Sequence, residues 1–143
     1  MSFVRVWIHC VWGTKNRHPF LTSEIKLKVL EHIKQNAKDK QIHIDRLNGH
    51  HEHLHCLMAL NADMSISKAM QLIKGESAFW INKQKITTSK FEWADAYFAI
   101  SVSESVLDKV RAYIDNQEEH HHKISFTEEY EKFMMNYKFL DQG

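Results

Sequence analysis

Two histidines, His53 and His55, stand two apart in the run His50-His51-Glu52-His53-Leu54-His55-Cys56-Leu57-Met58-Ala59-Leu60. The run reads as a strand that opens polar and ends apolar. Side chains alternate faces along a strand, so His53, His55, Leu57 and Ala59 share one face, and Leu54, Cys56, Met58 and Leu60 share the other. Two imidazoles side by side at the polar end of a buried strand are half of a metal site. The second face is wholly apolar and can pack on helices. Cys56 adjoins His55 but points away from it, which rejects it as a co-ligand. His50, His51 and His53 together offer an adventitious transition-metal site. Tyr113 and Gln117 form a second pair that shares a face. They lie one helical turn apart, at the edge of a buried stripe of Val106, Leu107, Val110 and Ile114. His120, His121 and His122 follow.

Several elements must position these groups. Residues 3–12 alternate as a central strand, with Val4, Val6, Ile8, Cys10 and Trp12 on an apolar face and Phe3, Arg5, Trp7, His9 and Val11 on a mixed one. A basic loop from Gly13 to Pro19 breaks it. Thr22 or Ser23 caps a helix to about Lys40, with a buried stripe of Ile25, Val29, Leu30, Ile33 and Ala37. Lys26, Lys28, Lys34, Lys38 and Lys40 read as its solvated face. A second strand covers Ile42 to Leu47, and Asn48-Gly49 signals a hairpin turn into the histidine strand. Ser65 caps a helix over about 65–84. Gly75 inside that helix costs about 1 kcal/mol relative to Ala and suits a close approach. Phe91 to Val102 reads as one or two strands. Ser105 with Asp108 fits a capping box for the Tyr113 helix. The segment from about 127 to 139 reads as a last helix, with Phe126, Tyr130, Phe133, Met134 and Tyr137 at helical spacing. The order β-α-β-β-α-β-(β)-α predicts an α+β fold, an antiparallel sheet with helices on one face, of the ferredoxin-like kind.

Composition bounds the function classes. The chain has 143 residues, 43% hydrophobic and 26% charged, which suits one soluble domain. No run of 18 apolar residues indicates a membrane span, and the first residues lack a signal-peptide layout. Cys10 and Cys56 both fall in strands and read as buried free thiols of a reducing cytoplasm. A net charge of +1 means that nucleic-acid binding must come from a local patch. Trp7, Trp12, Trp80 and Trp93 read as core.

The triplet His53-Leu54-His55, the helix carrying Tyr113-Ile114-Asp115-Asn116-Gln117 and the following His120-His121 resemble the single-tyrosine HUH transposases. These are the TnpA-type transposases of single-stranded insertion sequences and the REP-associated tyrosine transposases. The similarity covers nearly the whole chain. Trp7 to Arg17 resembles the opening strand and its Lys-x-Arg. Asn48-Gly49 to His55 resembles the HUH strand and its preceding turn. Ser67 to Gly75 resembles a helix ending in Leu-Ile-Lys-Gly, and Phe91 through Tyr97 with Ser101-Val102 resembles the aromatic strand pair.

The resemblance implies one HUH nuclease domain over 1–143, ferredoxin-like or RRM-like, with 126–143 a C-terminal helical tail. It implies a homodimeric enzyme that cuts and rejoins single-stranded DNA at hairpin-bearing element ends, acting in the cytoplasm at the nucleoid, with no membrane partner. Tyr113 would be the nucleophile, leaving a 5′-phosphotyrosine and a free 3′-OH. His53, His55 and Gln117 would hold Mg²⁺ or Mn²⁺, with no nucleotide cofactor, and His120 and His121 would assist. Two imidazoles and one amide bring no negative charge, so metal binding is expected to be weak without DNA. Lys15, Arg17, Lys68, Lys74 and Lys85 are the candidate DNA contacts. The alternatives are a silent hairpin DNA or RNA binding module and a metal-dependent phosphodiesterase that uses water.

Overall fold

The computed structural model describes residues 2–121 and 123–137. Four strands form one antiparallel sheet in the order β2-β3-β1-β4: β1 (Val6–Thr14), β2 (His43–Gly49), β3 (His53–Leu60) and β4 (Trp93–Val102). Helix α1 (Ser23–Asp39) connects β1 to β2, and α2 (Ile66–Lys83) connects β3 to β4. Each helix thus joins two parallel strands that flank a third, the ferredoxin-like crossover pattern. Helices α3 (Leu107–Asp115), α4 (Gln117–His120) and α5 (Phe126–Tyr137) complete the described chain.

The two faces of the sheet are covered separately, which corrects the expectation of helices on one face. Ile8, Cys10, Trp12, Leu54, Cys56 and Met58 meet α1 and α2 in one apolar core. Leu57 packs with Leu107 and Ile114 of α3 on the other side, beside Trp7, Val102, Val110 and Tyr113. The alternation along β3 is therefore as the sequence predicts. Cys10 and Cys56 face each other across the β1–β3 register as buried free thiols. Trp12 and Trp93 are core, whereas Trp7 and Trp80 are half-buried.

The structure departs from the sequence pattern at several points. Residues 2–5 lie outside β1, and the strand runs on through Gly13 to Thr14. Asn48 and Gly49 are the last residues of β2, not the turn, which His50 to Glu52 makes instead; His50 N donates to His53 O at 3.0 Å. A Cβ on Gly49 would stand 2.1 Å from His53 O, so glycine is required there by close backbone approach rather than by a turn. Gly75 has nothing within 4 Å of an added Cβ, so no neighbour explains it. Ser65 caps α2 by accepting from Lys68 N at 3.1 Å. The capping box at Ser105 does not form: Ser105 Oγ pairs with Ser103 Oγ, and a 3-10 turn over Glu104–Val106 leads into α3. Lys26 is not solvated. It is 6% exposed, because it falls on the same helical stripe as Val29, Leu30 and Ile33. His122, residues 138–143 and the side chains of Phe133 and Tyr137 lie outside the described residues.

Candidate active site

β3 begins at the histidines, and its alternation sends both to the face away from α1 and α2. His53 and His55 are each 0% exposed. Each has its inner ring nitrogen engaged. His53 Nδ1 lies 2.8 Å from Glu52 Oε1, and His55 Nδ1 lies 2.9 Å from His9 Nε2 of β1. Both Nε2 atoms therefore turn into the same space. A carboxylate or second imidazole behind the ring is the usual outer partner of a metal-ligating histidine.

Helices α3 and α4 close this space from above. Arg111 Nε donates to Asp45 Oδ2 at 2.8 Å, and Asn48 Nδ2 donates to Ile114 O at 3.0 Å and Asp115 O at 3.3 Å. These bonds fix α3 to β2 of the same chain, so Tyr113 faces its own histidines; its ring lies edge-on to that of His55, with centroids 5.4 Å apart. Asn116 interrupts the helix between Tyr113 and Gln117, but Gln117 Nε2 still donates to Tyr113 O at 3.1 Å. That bond turns Gln117 Oε1 toward His53 Nε2 at 3.2 Å and His121 Nε2 at 3.1 Å. Lys26 holds α4 from below, donating to Gly49 O at 3.2 Å and Glu118 Oε1 at 2.9 Å.

Helix α5 supplies the remaining wall. Phe126 stacks on His53 with centroids 4.1 Å apart. Glu129 enters the site itself. Its Oε1 lies 3.0 Å from His55 Nε2, its Oε2 lies 2.9 Å from His120 Nε2, and the Tyr113 hydroxyl donates to Oε2. Burial lowers the pKa of His55 to about 3, and of His9 and His121 to about 4, so these rings are neutral at pH 7. Burial acts to raise that of Glu129. The hydrogen bonds from His55 and Tyr113 outweigh it and bring Glu129 down to about 2, so the carboxylate is ionised.

His53, His55, His121 and Glu129 place four ligand atoms within 4.8 Å of one another, a group that could hold a divalent metal ion. Three imidazoles and one carboxylate suit a transition-metal ion, which accepts nitrogen. Among the described residues, neither His50 nor His51 joins this group; they stack on each other at 4.1 Å. A cavity of about 380 Å³ reaches Tyr113, His120 and Glu129 from solvent, with Lys109 and Lys132 among its lining.

The structure thus brings together Tyr113, His53, His55, Gln117, His120 and His121. Arg17 stands next to α5: its Nη1 donates to Thr127 Oγ1 at 2.6 Å, and its guanidinium lies 5.3 Å over the Tyr130 ring. Lys15 pairs with Glu92 at 2.8 Å. Lys68, Lys74 and Lys85 belong to the α2 layer across the sheet, and Lys74 Nζ donates to Ala94 O and Asp95 O. Sequence reasoning missed Glu129, Glu52, His9 and Lys26. Only Lys26 had a local signal, its place on the α1 stripe.

Comparisons with known proteins bear on the fold and the family. A family model described as "Transposase IS200 like" matches residues 2–117. The ISDra2 transposase TnpA of Deinococcus radiodurans is 23% identical over 115 residues, which span 76% of this chain and 81% of that protein. A crystal structure of a Deinococcus radiodurans R1 protein assigned as a transposase superposes with a TM-score of 0.64 at 22% identity, covering 81% of this chain and 93% of that one. A REP-associated tyrosine transposase bound to a REP hairpin gives 0.60 at 15% identity, covering 86% and 71%. At these identities the solved structures show the shared fold, and the family match carries the assignment: the chain belongs to the IS200-like transposase family.

Proposed function

We propose that the chain is a metal-assisted DNA transesterase that cuts and rejoins single-stranded DNA at hairpin-bearing element ends. The observation that carries this reading is the convergence of the Tyr113 hydroxyl, the Gln117 amide oxygen and the His53 and His55 Nε2 atoms on one buried space. A water-using phosphodiesterase needs no phenol there, and a binding module needs neither phenol nor buried imidazoles.

Tyr113 Oη attacks the scissile phosphorus, the bond from phosphorus to the 3′ oxygen breaks, and that oxygen leaves and takes up a proton, balancing the one the phenol loses, to become a 3′-OH. The 5′ side stays on the tyrosine as a phosphodiester, so its bond energy is kept and a second 3′-OH can reverse the step without ATP. A phenol has a pKa near 10 and needs its proton taken. Glu129 Oε2 already accepts that proton in a hydrogen bond, with His120 Nε2 at 2.9 Å from the same oxygen. A divalent ion, Mg²⁺ or Mn²⁺, held by His53, His55 and Gln117 would polarise the phosphate and stabilise the departing oxygen. Lys109 and Lys132 at the mouth and Arg17 beside α5 would meet the DNA backbone. A relative solved on a REP hairpin supports a hairpin substrate, and the family resemblance supports a homodimer.

The test is a denaturing gel with labelled single-stranded oligonucleotides from the flanks of the gene, with Mg²⁺ or Mn²⁺. We expect a metal-dependent protein–DNA band that persists in denaturant and is absent for Tyr113→Phe and His53→Ala. Cleavage by Tyr113→Phe without any such band would contradict the proposal and indicate hydrolysis. Tight hairpin binding without cleavage would indicate a binding module.

A further inference from the structure

The family match ends at Gln117, and two of the four clustered metal-capable side chains, His121 and Glu129, lie beyond it. The four ligand atoms lie within 4.8 Å of one another, close enough to converge on one ion. Glu129 Oε1 stands 3.0 Å from His55 Nε2 and 3.6 Å from His53 Nε2, and Glu129 Oε2 stands 3.7 Å from His121 Nε2. A tetrahedral ion with bonds of about 2.0–2.1 Å separates its ligand atoms by about 3.4 Å, the edge of that tetrahedron. The group, spread over up to 4.8 Å, would draw together to close on an ion. Gln117 Oε1, at 3.2 Å from His53 Nε2 and 3.1 Å from His121 Nε2, borders it as a fifth donor.

The charge balance points the same way. Glu129 is 3% exposed, and a buried carboxylate is costly unless it is paired with a cation. Its partners in the site are the Tyr113 hydroxyl and the His55, His120 and His121 rings. A divalent cation among them would balance the carboxylate. Glu52 behind His53 and His9 behind His55 already hold the two rings with Nε2 presented.

We propose that His53, His55, His121 and Glu129 bind a divalent transition-metal ion in the absence of DNA, so that the centre is loaded before the substrate arrives. The carboxylate of α5 supplies the negative charge that two imidazoles and an amide lack, and the nitrogen-rich set favours Zn²⁺, Co²⁺ and Mn²⁺ over Mg²⁺. The ligand set uses the site of the transesterase proposed above but does not depend on that reaction.

The test is a titration of chelator-treated, DNA-free full-length protein with Co²⁺, read by visible absorption. We expect one equivalent to bind with the intense bands of a four- or five-coordinate site, Zn²⁺ to displace it one for one, and Mg²⁺ in large excess to leave it. Glu129→Gln and His121→Ala should each weaken Co²⁺ binding ~10-fold or more, while His50→Ala leaves it unchanged. Circular dichroism checks that each variant is folded. A variant-free measurement accompanies it: Zn²⁺ should raise the melting temperature of the wild-type protein without DNA. Absence of both the Co²⁺ bands and the Zn²⁺ shift would overturn the proposal, as would folded Glu129→Gln that binds like wild type. Co²⁺ binding lost in Glu129→Gln, alongside no adduct on any DNA, would keep this centre and remove the transesterase; the reverse pair of results would do the opposite.

Discussion

β1 and β3 send alternate side chains into two unlike interiors. On one side Cys10, Trp12, Leu54, Cys56 and Met58 meet α1 and α2 in a dry core. There burial pushes the Cys10 thiol up to about 12, and both cysteines are inert. On the other side His9, His53 and His55, from the same two strands, meet Gln117, His121 and Glu129. The second interior is polar and is reached by a cavity, and the groups that meet its histidines come from α4, its C-terminal end and α5, far along the chain. A one-residue step along β3, from Leu54 to His55, crosses from a region that stabilises the fold to one that can do chemistry.

Neighbouring substitutions break the comparison most sharply. His55→Ala should lower DNA cleavage by ~10³-fold or more while leaving a folded protein; gel-based rates and circular dichroism report the two effects. Leu54→Ala should do the reverse. It should cost ~2–5 kcal/mol in urea unfolding, yet the folded fraction should cleave at near wild-type rate in the cold. Equal effects of the two variants on rate would contradict the division.

Acid should find only the second interior. His9, His55 and His121 have folded pKa values of about 4, 3 and 4, below the ordinary 6.5. The unfolded chain takes up these protons first, so the stability they bring is complete above pH 6.5 and is lost as the pH falls toward 4 and 3. Each fully shifted ring contributes ~1.4 kcal/mol per pH unit within that window. The melting temperature should therefore fall by ~3 °C or more per unit between pH 6.5 and 4.5. A flat profile there would contradict the buried neutral rings.

The smallest expected effect is at the tether. Asn48→Ala removes the bonds that hold the end of α3 to β2. It should cost ~1 kcal/mol of stability and ~10-fold in cleavage, because the phenol loses its fixed position. A rate loss no larger than the stability loss implies would show that α3 is placed by packing alone.

Much of this was legible in the sequence where the signal is local. The alternation of β3, the Ser65 cap, the α1 stripe, the shared face of His53 and His55 and that of Tyr113 and Gln117 follow from local signals, whereas the meeting of those two pairs was implied by the resemblance to the HUH transposases. Glu129 was not legible. It sits among Phe126 and Tyr130 on a helix whose apolar spacing reports only that one face is buried, and its approach to His55 is decided by docking across 74 positions. His9 needed the β1–β3 register, which sets it opposite Leu57 and between the histidine pair and α3. Asn48-Gly49 misled because the dipeptide suits a turn, while here glycine answers to His53 O and asparagine to α3.

The central claim is that the second interior performs a tyrosine transesterification. The most direct measurement is mass spectrometry of proteolytic peptides from protein incubated with single-stranded DNA and Mn²⁺. A nucleotide joined through its 5′ phosphate to the peptide bearing Tyr113 is the predicted result. DNA cut with a free 5′ phosphate and no modified peptide, or a nucleotide carried by Tyr130 instead, would contradict it.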